Sequence, residues 1–581
     1  MHESYFFHII VSVFKFKMNM DGKKSLFYLL LICTLTILPF LGLTDYHTKG
    51  EPREAIVAYS MLETGNWILP ENNGGDIAYK PPFFHWMITA FSAISGSVTE
   101  YTSRLPSALA LIVMTLVTFL FYRKRSGKEV AFFSALILLS NFEVHRAAFA
   151  CRVDMVLTVF IVLALYGLYQ WYEKGLKGFP WLATLFMGCA TLTKGPVGIL
   201  LPCLVTGVFL LMRGINFWKA FSRMCVVAVV SCIFPLIWYV AAYQQGGDNF
   251  ISLVLEENLG RFMGKMSYES HENGIHYYFI MLAAGLLPYT LLLLFDLFSI
   301  KLSKPVVRLK VWWNQLCQMD PVRLFSLLSI VVIFVFYCIP KSKRSVYLLP
   351  IFPFIAYFLA EWIIALYNQR NKALKIFSVV ICLLGGLLTL VFGVVRMGWI
   401  PESIFGGKHA AENIAYLHAL ESMPMGIEGI VLILLPLILA IYLFVGPLKK
   451  KDFRAMTYTV VAAVFSIFLA LDGVLQPSIL NVKSDKRLAK DVMEFVPEGN
   501  LYSYIKADMM RYFTINFYCG NRVLLFESEK PEEGYLLIGK KDADNYLPQQ
   551  SLYRFEQVYE SDKRSCDTRD RVRLYRFKKN N

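Results

Sequence analysis

Carboxylates and cations meet in one polar stretch, residues 44–82, which lies between two long apolar runs and carries Glu51, Arg53, Glu54 and Lys80. More charged residues follow at the ends of later apolar runs: Arg146, Arg152 and Asp154, then Lys194, Glu257, Arg261 and His271, then Lys341, Lys343 and Arg344. A charge at the centre of a membrane helix costs about 2.5–3.5 kcal/mol on insertion scales, so charges gathered at one set of helix ends call for a use. Two or three carboxylates among an excess of cations suit an anionic lipid-phosphate substrate and a general base. Cations stabilise a departing phosphate, and a carboxylate takes a proton from, or positions, an acceptor. Lys80, between Tyr79 and Pro81-Pro82, presents its ammonium from a fixed backbone. Each residue also has a plainer reading: Lys80 as a snorkelling interfacial lysine, Asp154 as a helix cap, Lys194 as a turn charge.

The rest of the chain supplies helices to hold such a cluster. It has 581 residues, 56% hydrophobic and 17% charged, with a mean hydropathy of +0.49, which excludes an ordinary soluble globule. Apolar runs near 25–43, 104–122, 130–149, 154–172, 179–193, 195–212, 224–243, 276–298, 325–339, 346–367, 376–396, 427–446 and 455–474 predict about thirteen transmembrane helices. No small-residue cleavage site follows the first run, which therefore reads as a membrane helix and not as a removed signal. With residues 1–24 in the cytoplasm, the loops RKRSGKE, EKGLKG, RGINFWKAFSR, KLSKPVVRLKVWW, NQRNKALK and KKKDFR fall inside, and each has more Lys and Arg than Asp and Glu. That pattern accounts for the formal charge of +15 without a nucleic-acid partner.

The expected division is a cytoplasmic N-terminus (1–24), a membrane domain (25–475) with the external loop 44–82, and an external α/β domain (476–581). In the last, 484–495 has helical spacing, and 501–505, 522–526 and 534–539 read as strands. Most of the eleven cysteines lie in apolar runs; only Cys519 and Cys566 are placed for a disulfide.

The segments G-E-P-R-E-A, G-N-W-I-L-P, Y-K-P-P-F-F-H-W and Y-T-S-R-L-P-S-A-L, in this order, resemble the first external loop of the bacterial aminoarabinose transferases and the related protein O-mannosyltransferases. These are integral-membrane glycosyltransferases of the GT-C fold. The resemblance implies the bacterial inner membrane, a periplasmic C-terminal domain, and contact of Lys80, Lys194 and Tyr347 with a lipid phosphate, Lys343 and Arg344 assisting. It implies that Asp154 matches an aspartate needed for activity, and that Arg261 and the H-E-N-G-I-H-Y-Y-F segment belong to a loop closing over the donor. One departure stands out. The family's Asp-Glu-x-Arg reads Gly50-Glu51-Pro52-Arg53 here, so the catalytic carboxylate is expected to be Glu51, with Asp154 as the alternative. Pro52 should aim Glu51 and Arg53 at one cavity.

The function expected is transfer of a sugar from an undecaprenyl-phosphate carrier to lipid A or a related envelope glycolipid. The alternatives are protein O-glycosylation from the same kind of donor and, in another class, a transporter of lipid-linked sugars. No internal repeat or mid-membrane charge supports the transporter. No cofactor is implied; a divalent metal stays open, with His271 as a possible ligand.

Overall fold

The computed structural model describes residues 22–260, 263, 272–298, 315–507 and 510–580. Among these, nine helices are long and apolar enough to cross a membrane, and eleven if each of two bent helix pairs counts as one span. Two shorter apolar helices, Phe83–Ser95 and Val197–Met212, join them. The number differs from the expected thirteen because the runs at 179–193 and 195–212 form short helices, Trp181–Lys194 and Val197–Met212, folded tightly on each other. Gly195 turns the hairpin at φ +90°, and a Cβ on Gly198 would stand 2.5 Å from the Thr191 nitrogen. Phe83–Ser95, hidden in the sequence behind the Pro81-Pro82 pair, is a further apolar helix.

Polar caps start the helices where the apolar runs begin. Thr99 and Thr102 form a reciprocal capping box at the head of Glu100–Arg123, and Asp320, Asn371 and Asp452 accept backbone N–H groups at three later starts. Val153–Glu173 is the most enclosed span, with 78% of its apolar window buried against 28% for Phe217–Gly260. The first therefore sits inside the bundle and the second on its rim. The enclosed span carries Asp154 in its first turn, so that carboxylate has a rigid support.

Two breaks divide apolar runs that were each expected to be one span, the second of them at Gly285 and Pro288. Lys128–Leu139 and Phe142–Ala148 meet at 63°, and His276–Gly285 and Tyr289–Leu297 at 106°; the Phe142 N–H donates to the Leu287 carbonyl at 3.0 Å, joining the breaks.

The last long helix, Phe453–Lys483, runs past residue 475, and a five-stranded sheet follows it. Strand Leu501–Tyr504 pairs in parallel with Val523–Leu525 on one side and Glu533–Gly539 on the other. Arg571–Lys579 continues the sheet antiparallel and Tyr553–Arg564 closes it, a hairpin missing from the sequence reading. Helix Lys486–Phe495 buries Leu488 and Val492 against the sheet. Cys519 and Cys566 are free: the Cys519 thiol faces the Ala489 carbonyl, and the Cys566 thiol faces Asp485 and Thr514.

This domain docks on the loop 44–82. Lys486 bonds Asp45 at 2.7 Å and Glu100 at 3.0 Å, Arg511 bonds Asp76 at 3.0 Å, and Asn516 donates to Asn73 at 2.8 Å.

Candidate active site

Between the bundle and the docked domain lies a cavity of about 2450 Å³. Its floor comes from helix Pro52–Thr64, the segment around Lys80, the heads of Val153–Glu173 and Ser345–Ile351, and the end of Trp181–Lys194.

Pro52 starts its helix as expected, but the side chains before and after it part. Glu51 turns inward. Its two oxygens take Arg104 Nε at 2.8 Å and Nη2 at 3.1 Å, and the first also accepts the Cys151 N–H at 2.9 Å. Arg104, 1% exposed, spends its remaining nitrogen on the Leu41 carbonyl and on the carbonyl and hydroxyl of Thr44. Burial pushes the Glu51 pKa up and Arg104 more than offsets this, so the group stays ionised. Glu51 is absent from the cavity wall, contrary to the expectation that Pro52 would aim it there.

Glu54, three residues on, faces the cavity in its place. One oxygen takes Lys80 Nζ at 2.7 Å and Arg53 Nη2 at 3.1 Å, and the other contacts His85 Nε2 at 3.0 Å. Burial alone would raise the Glu54 pKa; Lys80, the His85 hydrogen bond and Arg53 hold it well below the usual carboxylate range. Burial and the nearby Arg53 pull the Lys80 ammonium down, while Glu54 and Glu257 pull it up; the net shift is downward. Glu54 and His85 are site residues that the sequence reading left out. Glu54 sits beside Arg53, and His85 stands within Y-K-P-P-F-F-H-W, which was the available signal.

The second carboxylate, Asp154, bonds Lys194 through Oδ1. Among the described residues no other side chain bonds it. The Lys194 ammonium lies 4.4 Å from the centre of the Tyr347 ring, which stacks on Tyr337. Lys343 is buried with its ammonium on the Pro340 carbonyl at 2.5 Å, and Arg344 lines the cavity beside it. Arg53, Lys80, Asp154, Lys194, Lys343 and Arg344 are thus brought to one cavity, with Tyr347 behind Lys194. Arg261 and His271 lie outside the described residues. Among the described residues no group of three His, Cys, Asp or Glu side chains is placed to hold a metal ion.

The C-terminal domain roofs the cavity with Lys506, Lys541, Arg564 and Arg569 among others. The whole arrangement is a water-accessible chamber at one end of a helical bundle, and two of its lining carboxylates, Glu54 and Asp154, are tied to cations of the floor.

Comparison with known proteins bears on the fold and the class of reaction. The crystal structure of ArnT from Cupriavidus metallidurans bound to undecaprenyl phosphate superimposes with a TM-score of 0.69 over 96% of this chain and 98% of that one, at 19% identity. An undecaprenyl phosphate-alpha-4-amino-4-deoxy-L-arabinose arabinosyl transferase of Shewanella sediminis is 28% identical over 398 residues, 67% of this chain and 68% of that relative. The chain is a membrane glycosyltransferase of the GT-C fold. Residues 79–239 of this glycosyltransferase match the family described as dolichyl-phosphate-mannose-protein mannosyltransferase, a stretch that includes Lys80, Asp154 and Lys194. An Aquifex aeolicus protein resembles the transferase over a longer span, at 24% identity over 90% of this chain and 92% of its own.

Proposed function

We propose that this glycosyltransferase moves a sugar from a polyprenyl-phosphate carrier to a hydroxyl of an envelope glycolipid of the lipid A type, at the face of a bacterial inner membrane turned to the periplasm. The observation that carries the reading is the pairing, in one cavity, of Asp154 with Lys194 and of Glu54 with Lys80 and Arg53. The arabinosyl transferases named above, which use an undecaprenyl-phosphate sugar, support the donor class.

In this reading the acceptor oxygen attacks the anomeric carbon, the bond from that carbon to the phosphate oxygen breaks, and the phosphate leaves with the electron pair. Lys80, Lys194 and Arg53 stabilise the charge that gathers on it, in a site partly screened from water. Arg261, Lys343, Arg344 and Tyr347 complete the donor site. Asp154 accepts the acceptor's proton, because one cation holds it and its other oxygen is unclaimed by any described side chain. Glu54, clamped by Lys80, Arg53 and His85, is a poor proton acceptor and serves to aim the two cations. Glu51, the carboxylate first expected to act as base, becomes a positioning residue that fixes the start of the helix bearing Arg53 and Glu54.

Lys80→Ala and Asp154→Asn, purified and supplied with a polyprenyl-phosphate sugar and extracted envelope glycolipids, should each lose a hundredfold or more in turnover, on the order expected for loss of a general base or of a phosphate contact. Bare undecaprenyl phosphate should still bind to Asp154→Asn. Retention of most activity by either variant, with the fold intact, sinks the assignment of that residue.

A further inference from the structure

The roof domain carries a crevice that the chemistry of the floor leaves unused. Its parallel strands Leu501–Tyr504 and Glu533–Gly539 lie side by side, and the chain leaves their carboxyl ends towards opposite faces of the sheet. After the first it enters helix Phe513–Tyr518, whose Ile515 packs on one face with Leu501 and Leu537. After the second it enters helix Lys540–Tyr546, whose Ala543 packs on the other face with Tyr502 and Leu536. Where neighbouring parallel strands send their connections to opposite faces, a crevice opens beyond the strand ends, and open α/β sheets bind their ligands there. Here it opens into the cavity: Lys506, Gly539, Lys541 and Asp542 at the two strand ends line the chamber, together with Tyr512 and Asp570.

A second observation points to a ligand. Tyr512 is 1% exposed and, among the described residues, its hydroxyl closes no hydrogen bond. The Gly539 amide lies near the oxygen, but an N–H only donates and leaves the phenol proton without an acceptor. A Cβ on Gly539 would stand 3.6 Å from this hydroxyl and 3.3 Å from Asp570 Oδ2, so the two groups flank one gap. Asp570 and Asp542 are each aimed through Oδ2 by a backbone N–H, of Lys541 at 2.9 Å and of Lys506 at 3.2 Å. Among the described residues nothing bonds their other oxygens, and no carboxylate pairs with the Lys506 or Lys541 ammonium. Two carboxylates thus balance two cations. Both signs continue along the hairpin tip, with Arg564, Arg569 and Arg571 against Asp562 and Asp567, while Lys563 is held by the Val482 and Ser484 carbonyls. Interleaved donors and acceptors of this kind suit hydroxyls, which both give and take a hydrogen bond, better than a bare phosphate or ammonium.

We propose that this crevice binds the carbohydrate head group of the acceptor through its hydroxyls and presents the acceptor oxygen to the floor. The proposal rests on the transferase reading above and adds the acceptor's place. The cavity, about 2450 Å³, exceeds the roughly 300–1,000 Å³ that one small ligand occupies, which leaves space for a second substrate. In a single displacement the acceptor oxygen enters opposite the departing phosphate. With that phosphate on the floor cations, the acceptor's side is the roof.

The test is binding of four probes to the purified full chain: undecaprenyl phosphate, the deacylated head group of lipid A, the same head group stripped of phosphate, and inorganic phosphate. Wild type should bind both head groups, the phosphate-free one within about threefold of the other. Tyr512→Phe should weaken both by about three- to tenfold, the range of one neutral hydrogen bond, and leave undecaprenyl phosphate within about twofold of wild type. Its ligand-free Tm should equal or exceed that of wild type, because an unpartnered hydroxyl is removed; a fall would show the hydroxyl bonded within the fold and overturn the proposal. Lys541→Gln, at an exposed position, should weaken the head groups likewise and carries the test if Tyr512→Phe fails to fold. Head-group affinity unchanged in both variants overturns the proposal. So does competition by inorganic phosphate together with failure of the phosphate-free head group to bind, which would make the crevice a phosphate site. If wild type binds undecaprenyl phosphate but neither head group, the proposal falls while the donor half of the transferase reading stands. Failure to bind undecaprenyl phosphate overturns the transferase reading itself, and the proposal with it.

Discussion

Glu51→Ala tests the division of labour between the two carboxylates of the first loop. Glu51 and Arg104 are 6% and 1% exposed and share two hydrogen bonds, and the same carboxylate accepts the Cys151 N–H. Removing it strands a buried guanidinium, which costs about 3–5 kcal/mol when one member of a buried pair is lost. Arg104 keeps three bonds to Leu41 and Thr44, which argues for the lower end, while the orphaned Cys151 N–H adds about 1–3 kcal/mol. The shift per kcal/mol shrinks with size to about 1 °C in a chain this long, so Tm in detergent should fall by about 4–6 °C. Glu51→Gln, which keeps one acceptor oxygen, should lose less. Glu51→Met with Arg104→Met should recover part of the loss, since no charge is left buried, though the Leu41 and Thr44 carbonyls lose their donor. Turnover per folded molecule at 25 °C should stay within about tenfold of wild type in Glu51→Gln, because no base is removed. A Glu51→Gln protein with the wild-type Tm and a hundredfold loss of turnover would refute the reasoning and return Glu51 to the reaction.

Three further outcomes follow from the structure. The Glu54 pKa is depressed in the folded state, so its contribution to stability is present above the unfolded value near 4.3 and fades as pH falls below it; the Tm advantage of wild type over Glu54→Gln should therefore shrink below about pH 4, and a constant advantage down to pH 3 would contradict the ion cluster. Asp567, in the roof, behaves oppositely: burial first, then Asp485, push it up to about 7 against the Thr514 hydrogen bonds, so stability falls as pH rises from about 4 to 7, by at most on the order of 4 kcal/mol. Asp567→Asn should accordingly lose less stability relative to wild type at pH 8 than at pH 5, and an equal loss at both would refute the shift. Reporter fusions after Leu448 and after Gly499, on either side of the span Phe453–Lys483, should report the cytoplasm and the exterior; one compartment for both would remove the orientation assumed for the cavity.

What could be read from sequence was what depends on neighbours along the chain. Apolar runs gave most of the spans, and Pro52 marked the start of its helix. The cations Arg53, Lys80 and Lys194 were found because charge at a helix end is visible without knowing what it faces. The choice between Glu51 and Glu54 was not visible. Three residues along a helix is most of one turn, and which of the two meets the cavity depends on Arg104, whose partner Glu51 is 53 residues away. The bend at Leu139–Phe142 was hidden for a like reason, since the broken pair reads as one apolar run; the bend at Gly285–Tyr289 carried a signal, Pro288, that the apolar run outweighed. The terminal hairpin escaped because charges crowd its exposed face and mask the period-two pattern.

The roof over the cavity is built from residues far along the chain from its floor: Asn516, which clasps Asn73, lies 443 positions after it. A ribosome delivers the floor long before the roof. While the intervening helices are being threaded into the bilayer, Lys80 and Glu54 stand open to the aqueous side with no lid above them, and the chamber becomes a chamber only once the sheet has folded and settled. The order of synthesis thus keeps the chemistry unassembled until nearly every membrane helix is in place, and a translation pause or truncation after residue 483 would leave a complete floor exposed to water.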